Sequence, residues 1–356
     1  MEPFSYAPIQ SIGHSLLRQV TLYLNHQLVY DSDTNYAYLA YIGNTLNYDK
    51  SCKETTLQLA GYAPDEKMDT DASTDYQQRC KMVVKGKSCQ VAANLLIPIF
   101  QTERLMLNYS NIRLVAHPNS SSFLVECQGQ ENALVAPRVR LNIEDVHLMV
   151  NAYDLHDGMS NALEKHLQET QMIQYPYTNV QLRHYNIEGN RTESAAIPCF
   201  TSRIPKRVIV GLVESDAFRG STLKSPFNFQ NFNIQNVYLD VGGVTVPNRP
   251  MNLDYPEDQF ATAYLSMVEG LGLARNDRNN GITMEMFKNG YNFYVFELSP
   301  TANTPMFDLV KNSNVVLRIQ FREKTPSDGL VALVYAEVDS MLLMNGDRCP
   351  VMEKFT

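Results

Sequence analysis

A pair of glycines between two alternating apolar runs constrains this chain more than any other feature. Gly242 and Gly243 separate the runs 236–241 and 244–246. This arrangement predicts a β-hairpin with a primed two-residue turn, because both turn positions need a positive φ that glycine adopts without steric cost. The turn also fixes the register, which pairs Val241 with Val244, Leu239 with Val246 and Asp240 with Thr245.

The region around this hairpin has a counterpart in the N-terminal half. Four short patterns recur in the same order in both halves of the sequence. Each pattern alone is short enough to recur by chance, but the shared order predicts one fold used twice. The pairs are Gln19–His26 with Asn236–Gly243, Ala37–Ile42 with Ala263–Val268, Ser110–Leu114 with Ser313–Leu317, and Asp145–Asn151 with Asp339–Asn345.

Most of the remaining sequence consists of short alternating or β-branched runs separated by turn residues, which predict strands. Helices are predicted at Asn161–Thr170 (capped by Ser160), at Asp258–Leu271 and between Thr283 and Gly290, while Tyr36–Leu46 is helical or extended. The predicted strands, apart from the two hairpins, are Leu57–Tyr62, Cys89–Phe100, Ile112–His117, Phe123–Cys127, Val139–Ile143, Val146–Tyr153, Thr178–Ile187, Arg207–Val213, Gly290–Leu298, Val315–Phe321 and Leu330–Leu343.

Many short strands with long connections are typical of jelly rolls. We therefore predict an all-β fold of two tandem jelly-roll β-barrels (a double jelly roll) with short helices in the connections. A chain of 356 residues is long for one core and comfortable for two. The predicted domains are an N-terminal jelly roll at 1–156, a helical connector at 157–174 and a C-terminal jelly roll at 175–356.

The two halves differ in length before their hairpins. About sixty residues, with two strands, lie between the connector and Asn236, but only eighteen residues precede Gln19. The first barrel is therefore expected to lack its opening strands, with an unpaired edge near Val20–Leu24 or on a neighbouring strand. We expect that edge to be covered either by the arm Glu2–Ile12 or by a strand from another subunit. The prolines of the arm limit its ladder hydrogen bonds and favour the other subunit.

Charge and composition exclude several classes of protein. A net charge of -8 argues against sequence-specific or general binding to a nucleic-acid backbone. No apolar run approaches the ~18 residues of a membrane span, and the N-terminus lacks a secretory signal, so synthesis in the cytosol is expected. The six cysteines show no metal-binding or disulfide spacing and are expected to be unpaired and mostly buried.

The sequence contains no recognisable catalytic constellation. Its seven histidines do not form a metal-binding cluster, and no Ser/His/Asp or Cys/His arrangement can be nominated. Pro64–Lys87 is interpreted as an acidic loop inserted at a barrel rim and exposed to solvent, with weak cation binding at Asp65–Asp75 as the alternative. We therefore predict no enzyme, no cofactor, and no catalytic, cofactor-binding or metal-binding residues.

Four segments resemble one protein family. They are Val20–Tyr48 (VTLYLNHQLVYDSDTNYAYLAYIGNTLNY) and the runs IPKRVIVGLVESDAFRGS, SPFNFQNFNIQNVYLDV and NGITMEMFKNGYNFYVFELSP. The chain resembles the capsid proteins of Polinton/Maverick elements and adintoviruses, which are related to the double jelly-roll major capsid proteins of adenovirus-like and large DNA viruses. Two departures are an absent N-terminal extension and His26 at a turn where the family has a small residue, which predicts a looser first turn.

The resemblance implies a structural protein. The expected function is a hexon-like major capsid protein whose pseudo-hexagonal homotrimers build an icosahedral shell, located in the virion. Its implied partners are further copies of itself, neighbouring capsomers and penton or minor capsid proteins. The alternatives are a minor or penton-type capsid protein, which usually needs one roll, and a carbohydrate-binding jelly-roll module, against which the absence of Trp argues. A cupin-like oxygenase fails because the histidine cluster is missing.

Overall fold

The computed structural model describes residues 6–128, 140–170, 172–303 and 312–352. Short strands dominate, and helices lie in the connections between them. The strands are β1 (Ala7–Pro8), β2 (Leu17–Leu24), β3 (Gln27–Asp31), β4 (Ile112–Pro118), β5 (Val125–Glu126), β6 (Met172–Ile187), β7 (Ile197–Phe200), β8 (Arg207–Glu214), β9 (Phe229–Gln230), β10 (Ile234–Val241), β11 (Val244–Val246), β12 (Asn289–Gly290), β13 (Phe293–Glu297), β14 (Val315–Phe321), β15 (Leu330–Asn345) and β16 (Pro350–Met352).

The helices are short, as expected for connections between strands. The α-helices are α1 (Ile12–Ser15), α2 (Tyr36–Asn47), α3 (Lys50–Lys53), α4 (Thr74–Val83), α5 (Ser121–Leu124), α6 (Asp157–Thr170), α7 (Ser215–Arg219), α8 (Ala261–Gly270) and α9 (Met284–Lys288). Single 3-10 turns occupy Asp33–Asn35, Thr56–Ala60, Val84–Gly86 and Pro98–Gln101.

The C-terminal half forms a four-stranded and a five-stranded antiparallel layer. One layer has the order β11-β10-β14-β7, and the other has β13-β8-β15, with β6 on the second edge of β15 and β16 at its far end. The predicted hairpin register is confirmed, since Val241 pairs with Val244 and Leu239 with Val246. Both turn glycines have a positive φ, 59° at Gly242 and 87° at Gly243.

The N-terminal half contains a smaller version of the four-stranded layer. Its three-stranded sheet has the order β3-β2-β4, which corresponds to β11-β10-β14. Leu22 pairs with Leu114 in β4 just as Leu239 pairs with Leu317 in β14. The repeated Ala-Tyr-Leu pattern is helical in both halves, in α2 and in α8. Three of the four sequence repeats are thus repeats of structure.

The first hairpin turn is as tight as the second, so the prediction of a looser turn was wrong. Leu24 pairs with Gln27 across a two-residue turn. Asn25 (φ 45°) and His26 (φ 69°) both adopt the left-handed conformation that the glycines adopt in the other hairpin. Asn25 also donates from its side chain to the backbone oxygen of Arg348, at 2.6 Å, which fixes the turn against the C-terminal end of the chain.

The second layer of the N-terminal roll is supplied by the C-terminal half. The strands β6 and β15 are sixteen residues long and pair along their whole length. Leu342 and Met344 of β15, together with Tyr175 and Tyr177 of β6, are buried in one cluster with Val20, Leu22 and Leu24 of β2. The extended ends of two later strands therefore cover this face of the N-terminal roll.

A larger apolar cluster also crosses the midpoint of the sequence. Tyr41 of α2 stacks on Phe227 with ring centroids 4.1 Å apart, and Tyr38 lies edge-on to the same ring at 5.5 Å. Both tyrosines belong to the cluster that contains the strands of the C-terminal roll. The all-β double jelly-roll fold is confirmed, whereas the domain limits 1–156, 157–174 and 175–356 remain a prediction.

Several local predictions were wrong, mainly in the N-terminal half. Leu57–Tyr62 contains a 3-10 turn, Cys89–Phe100 is irregular and ends in another 3-10 turn, and Phe123–Cys127 begins in α5. Val146–Tyr153 is not a strand, and neither are residues 140–143; Val139 lies outside the described residues. The connector helix begins at Asp157 rather than after Ser160. Of the predicted strands, Phe123–Cys127 keeps only the two residues Val125–Glu126, which pair with β1.

An open edge lies on a neighbouring strand, which is the second of the two predicted positions. β2 is not an edge, because β3 and β4 flank it on both sides. The N-terminal arm pairs instead with β5, through Ala7 with Glu126 and Pro8 with Val125, and Glu2–Ser5 lie outside the described residues. Both outer strands of this sheet, β3 and β4, pair only with β2 among the described strands, so the outer edge of the neighbouring strand β4 is open.

Candidate assembly surface

Two charged side chains of the acidic loop are buried inside the protein. Asp65 and Arg79 are buried, with 3% and 1% of their surfaces exposed, and they form an ion pair. Arg79 also donates to the Glu126 carboxylate at 2.9 Å and to the backbone oxygen of Pro8 at 2.7 Å. The interpretation of this loop as a solvent-exposed face was therefore wrong for Asp65.

Burial dominates the electrostatics of this cluster. Desolvation raises the pKa of Asp65 to about 6, although the Arg79 charge opposes the shift. Desolvation lowers the pKa of Arg79, but the Glu126 and Asp65 carboxylates more than compensate and raise it. The Arg79 guanidinium already lies between the two carboxylates. The cluster therefore holds the loop against β1 and β5.

The same loop contacts the C-terminal half. Asp69 accepts a hydrogen bond at 2.6 Å from the backbone N–H of Ser225, and the side chain of Asn228 donates to its other oxygen at 2.5 Å. Tyr291 donates to the backbone oxygen of Asp65 at 3.1 Å. The inserted loop therefore joins the two halves of the chain rather than extending away from them.

Histidines and cysteines form no chemical site in the described residues. No group of three or more His, Cys, Asp or Glu side chains lies close enough to hold a metal ion there. His147 pairs with Asp145 at 3.3 Å on the surface, and the Nδ1 of His156 accepts a hydrogen bond from Gly158. None of the six cysteines forms a disulfide bond; Cys127 and Cys199 are buried and Cys89 is exposed, so fewer are buried than expected.

One open cleft lies between the acidic loop and the hairpin region of the second roll. Its volume is about 520 Å³. Lys288 at its rim forms an ion pair with Asp258, and Asn289 donates to Glu285, so these polar groups already have partners. The residues lining the cleft are Lys67, Met68, Asn228, Gln230, Asn231, Phe232, Lys288 and Asn289. They include no Ser, Thr, Cys, His, Asp or Glu side chain.

The most unusual surface is an extended apolar segment before α6. Residues 140–156 contain no helix or strand, and most of their side chains face solvent. Leu141 packs against the core, so one end of the segment is anchored, and α6 fixes the other end. The large apolar side chains exposed in this segment are Ile143, Val146, Leu148, Met149, Val150, Tyr153 and Leu155. A contiguous exposed apolar stretch of this kind marks an interaction site.

The open edge of β4 is a second unusual surface. In the C-terminal roll the corresponding strand β14 carries β7 on its outer edge, and its inward residues Val315 and Leu317 are fully buried. In β4 the corresponding Ile112 is 46% exposed and Leu114 is half-buried. The position that β7 fills in one roll is therefore unoccupied in the other, among the residues the structure describes.

Sequence reasoning found the exposed segment but not its role, since the alternation at Val146–Tyr153 was interpreted as an internal strand. It missed the Arg79 cluster entirely. The available signal was the spacing of Tyr76 and Arg79, which are three residues apart and share one buried face of α4. The described part of the chain also contains no helix long and apolar enough to cross a membrane.

Comparison with known proteins supports the fold over nearly the whole chain. A chain of the Sputnik virophage cryo-EM structure superposes with a TM-score of 0.57 and 9% identity, covering 100% of this chain and 78% of its own length. PBCV-1 VP54, as fitted into a reconstruction of Sputnik, gives 0.50 and 9%, covering 99% and 87%. These likenesses are of fold, because the identities are low.

A closer relative is found by sequence. No protein-family model matches the chain. The uncharacterized protein F54H12.2 of Caenorhabditis elegans is 40% identical over 353 residues, which cover 98% of this chain and 82% of that protein. Identity at this level over nearly the full length indicates common descent and a common structure. The chain belongs to the same family as F54H12.2, a family with the double jelly-roll fold.

Proposed function

We propose that this protein is a major capsid protein that assembles into a shell. The observation that carries the proposal is the double jelly roll, shared over the full length of the chain with a protein of the Sputnik virophage particle. Fold alone does not fix function. The second support is the presence of two surfaces suited to protein contacts, the exposed apolar segment 140–156 and the open edge of β4.

The proposed assembly unit is a hexon-like homotrimer. Two rolls side by side give each subunit a two-lobed footprint, so three subunits form a pseudo-hexagonal tile. The contacts that join the two lobes support this geometry, since the Asp69–Ser225 bond and the hydrogen bond from Tyr291 to the backbone oxygen of Asp65 hold them in one arrangement. Tiles would then contact neighbouring capsomers and penton or minor capsid proteins in an icosahedral shell, located in the virion.

The proposed lineage is that of Polinton/Maverick elements and adintoviruses. The support is the resemblance of the four segments described above and the 40% identity with a nematode protein. A capsid gene carried by a transposon-like element would be found in an animal genome. Whether the gene belongs to an active virus or has been retained by its host depends on the assembly competence of its product.

Electron microscopy of the purified full-length chain tests this proposal. We expect triangular or pseudo-hexagonal units, with sheets or closed particles at higher concentration. Single two-lobed molecules at every concentration would contradict it. A sugar-dependent rise in melting temperature, without assembly, would favour the carbohydrate-binding alternative instead.

A further inference from the structure

The exposed segment before α6 has the pattern of a strand without a partner. Every second residue of the segment is apolar, at Val146, Leu148, Val150 and Ala152. This spacing gives one apolar face with the two-residue period of a strand. Its sequence also matches the end of β15, where Asp339, Leu342 and Asn345 correspond to Asp145, Leu148 and Asn151. In β15 the equivalents of Leu148 and Val150 are Leu342 and Met344, both fully buried. In the segment, these two residues are 59% and 71% exposed.

The position for this segment inside its own roll is already filled. Leu342 and Met344 pack into the cluster beneath β2, where a self-contained first roll would place its own closing strand. The segment is thus displaced from its own core, while Leu141 and α6 hold its ends in place. An apolar face that is displaced and exposed in this way marks a site of contact with another molecule.

The edge of β4 offers the backbone groups that such a strand needs. The backbone N–H of Asn25 donates to the oxygen of Asn111 at 2.9 Å, so the hydrogen-bonded pairs of the β2–β4 ladder are at Asn111, Arg113, Val115 and His117. The N–H and C=O groups of Ile112, Leu114 and Ala116 therefore point away from β2. Their side chains lie on the inward face, which is only partly covered.

Charge favours the same pairing. β4 carries Arg113 and His117 and no carboxylate. The exposed segment carries acidic residues at both ends. Glu144 and Asp145 lie at its start, and Asp154 and Asp157 follow it. Complementary charge of this kind fixes orientation and suppresses wrong partners.

We propose that residues Asp145–Ala152 of one copy of this chain add as a β-strand to the outer edge of β4 in a second copy. The added strand occupies the place that β7 occupies beside β14, and it runs antiparallel to β4 as β7 does to β14. Leu148 and Val150 then cover Leu114 and Ile112 of the partner copy. This inference deepens the proposed function, on which it rests, by naming the donor and the acceptor of one contact between subunits.

Engineered cross-linking between two differently tagged, co-expressed chains tests the pairing. One chain carries Leu114→Cys on the acceptor strand β4. The other carries Val146→Cys, Leu148→Cys or Val150→Cys in turn. These three donors face the same side of the strand, so one of them lies beside residue 114 even if the register is shifted by two residues. Cys89 is replaced by Ser in both chains because it is exposed. Val244→Cys serves as the matched control donor, since Val244 is also an exposed strand valine (65%) but lies on the second hairpin.

We expect one donor of the three to give a disulfide between the two tags at about tenfold the yield of the control or more. A disulfide within one chain only would show that the segment folds back on its own β4, which overturns the proposal. Equal yields for all donors and the control would overturn it as well.

A charge substitution separates this inference from the proposed function. Leu148→Asp with Val150→Asp places two carboxylates on exposed positions, so the fold and melting temperature should be retained. We expect the subunit concentration at half-assembly to rise by about tenfold or more. If the wild type assembles and this variant assembles equally well, strand addition is wrong but the shell proposal stands. If the wild type is a monomer, the shell proposal itself fails.

Discussion

Arg79 and Glu126 are 47 residues apart in sequence, yet the Arg79 guanidinium lies 2.9 Å from the Glu126 carboxylate and both are almost completely buried. Asp65 lies on the other side of the same guanidinium. One cation thus neutralises two carboxylates and joins the inserted loop to the N-terminal arm. The loop could not be held in this position by apolar contacts alone, because its sequence is mostly polar.

Arg79→Leu should therefore destabilise the protein by about 3–5 kcal/mol, since it leaves two buried carboxylates without a counter-charge. Urea unfolding measures the change. Arg219→Leu is the matched control, because the Arg219–Asp216 pair lies on the surface at 3.8 Å and should change stability by less than about 1 kcal/mol. Equal effects of the two substitutions would contradict a structural role for the buried cluster.

Two glycines should respond in opposite directions to alanine. A Cβ on Gly211 of β8 would lie 2.6 Å from the ring of Phe229, which is fully buried against Phe293. Gly211→Ala should cost about 1–3 kcal/mol by overpacking. Gly43 lies within α2, and its Cβ would meet only the Tyr335 hydroxyl at 3.7 Å. Gly43→Ala should gain about 0.5–1 kcal/mol in the same unfolding assay, because alanine is favoured within a helix.

The two hairpin turns allow a direct test of backbone strain. Gly243 has φ 87° and open space around its Cβ position, so any cost of substitution comes from the backbone. Gly243→Val should cost more than about 1 kcal/mol, and Gly243→Asn should cost less, because Asn tolerates the left-handed region. His26→Gly at the equivalent position of the first hairpin should not destabilise. A loss of stability there would show that the His26 side chain, and not its backbone, determines the turn.

These turns also show which parts of the fold were accessible from sequence. The second hairpin was predictable to the residue, because the turn chemistry of Gly242-Gly243 specifies its own register. The first hairpin was predicted from its repeat, but its tightness was not, because Asn25 and His26 adopt positive φ only with support such as the Asn25–Arg348 bond. That bond joins residues 323 positions apart, which no local pattern reveals.

The assembly surface was harder to predict for a related reason. The alternation at Val146–Tyr153 predicted a strand that the structure does not contain, and it could not indicate that β15 fills the corresponding position. The length of β6 and β15 depends on their pairing with each other over sixteen residues. The burial of Arg79 was not predicted, because a charged side chain is buried only when partners from distant segments of the chain pair with it.

His14 should make stability fall in mild acid. Its side chain is buried near Tyr36, and desolvation lowers its pKa from 6.5 to about 4. The unfolded chain therefore binds a proton between pH 6.5 and pH 4 that the folded chain does not bind, so unfolding becomes easier as pH falls. Between pH 6.5 and pH 4, His14 lowers the free energy of unfolding by about 3 kcal/mol.

The His14→Gln variant checks this dependence. The stability difference between wild type and variant should change between pH 7 and pH 4.5, in the direction of a relative gain for the variant in acid. His117→Gln is the control for the loss of a histidine, because His117 is exposed on β4. Parallel profiles for wild type and His14→Gln would contradict the assignment.

The mass of the purified full-length chain in solution tests the central claim most directly. Light scattering across micromolar concentrations should give the mass of three chains, with larger species as concentration rises, because the open β4 edge and the apolar segment 140–156 are covered only by assembly. A stable monomer throughout that range, with both surfaces exposed to solvent, would contradict the account.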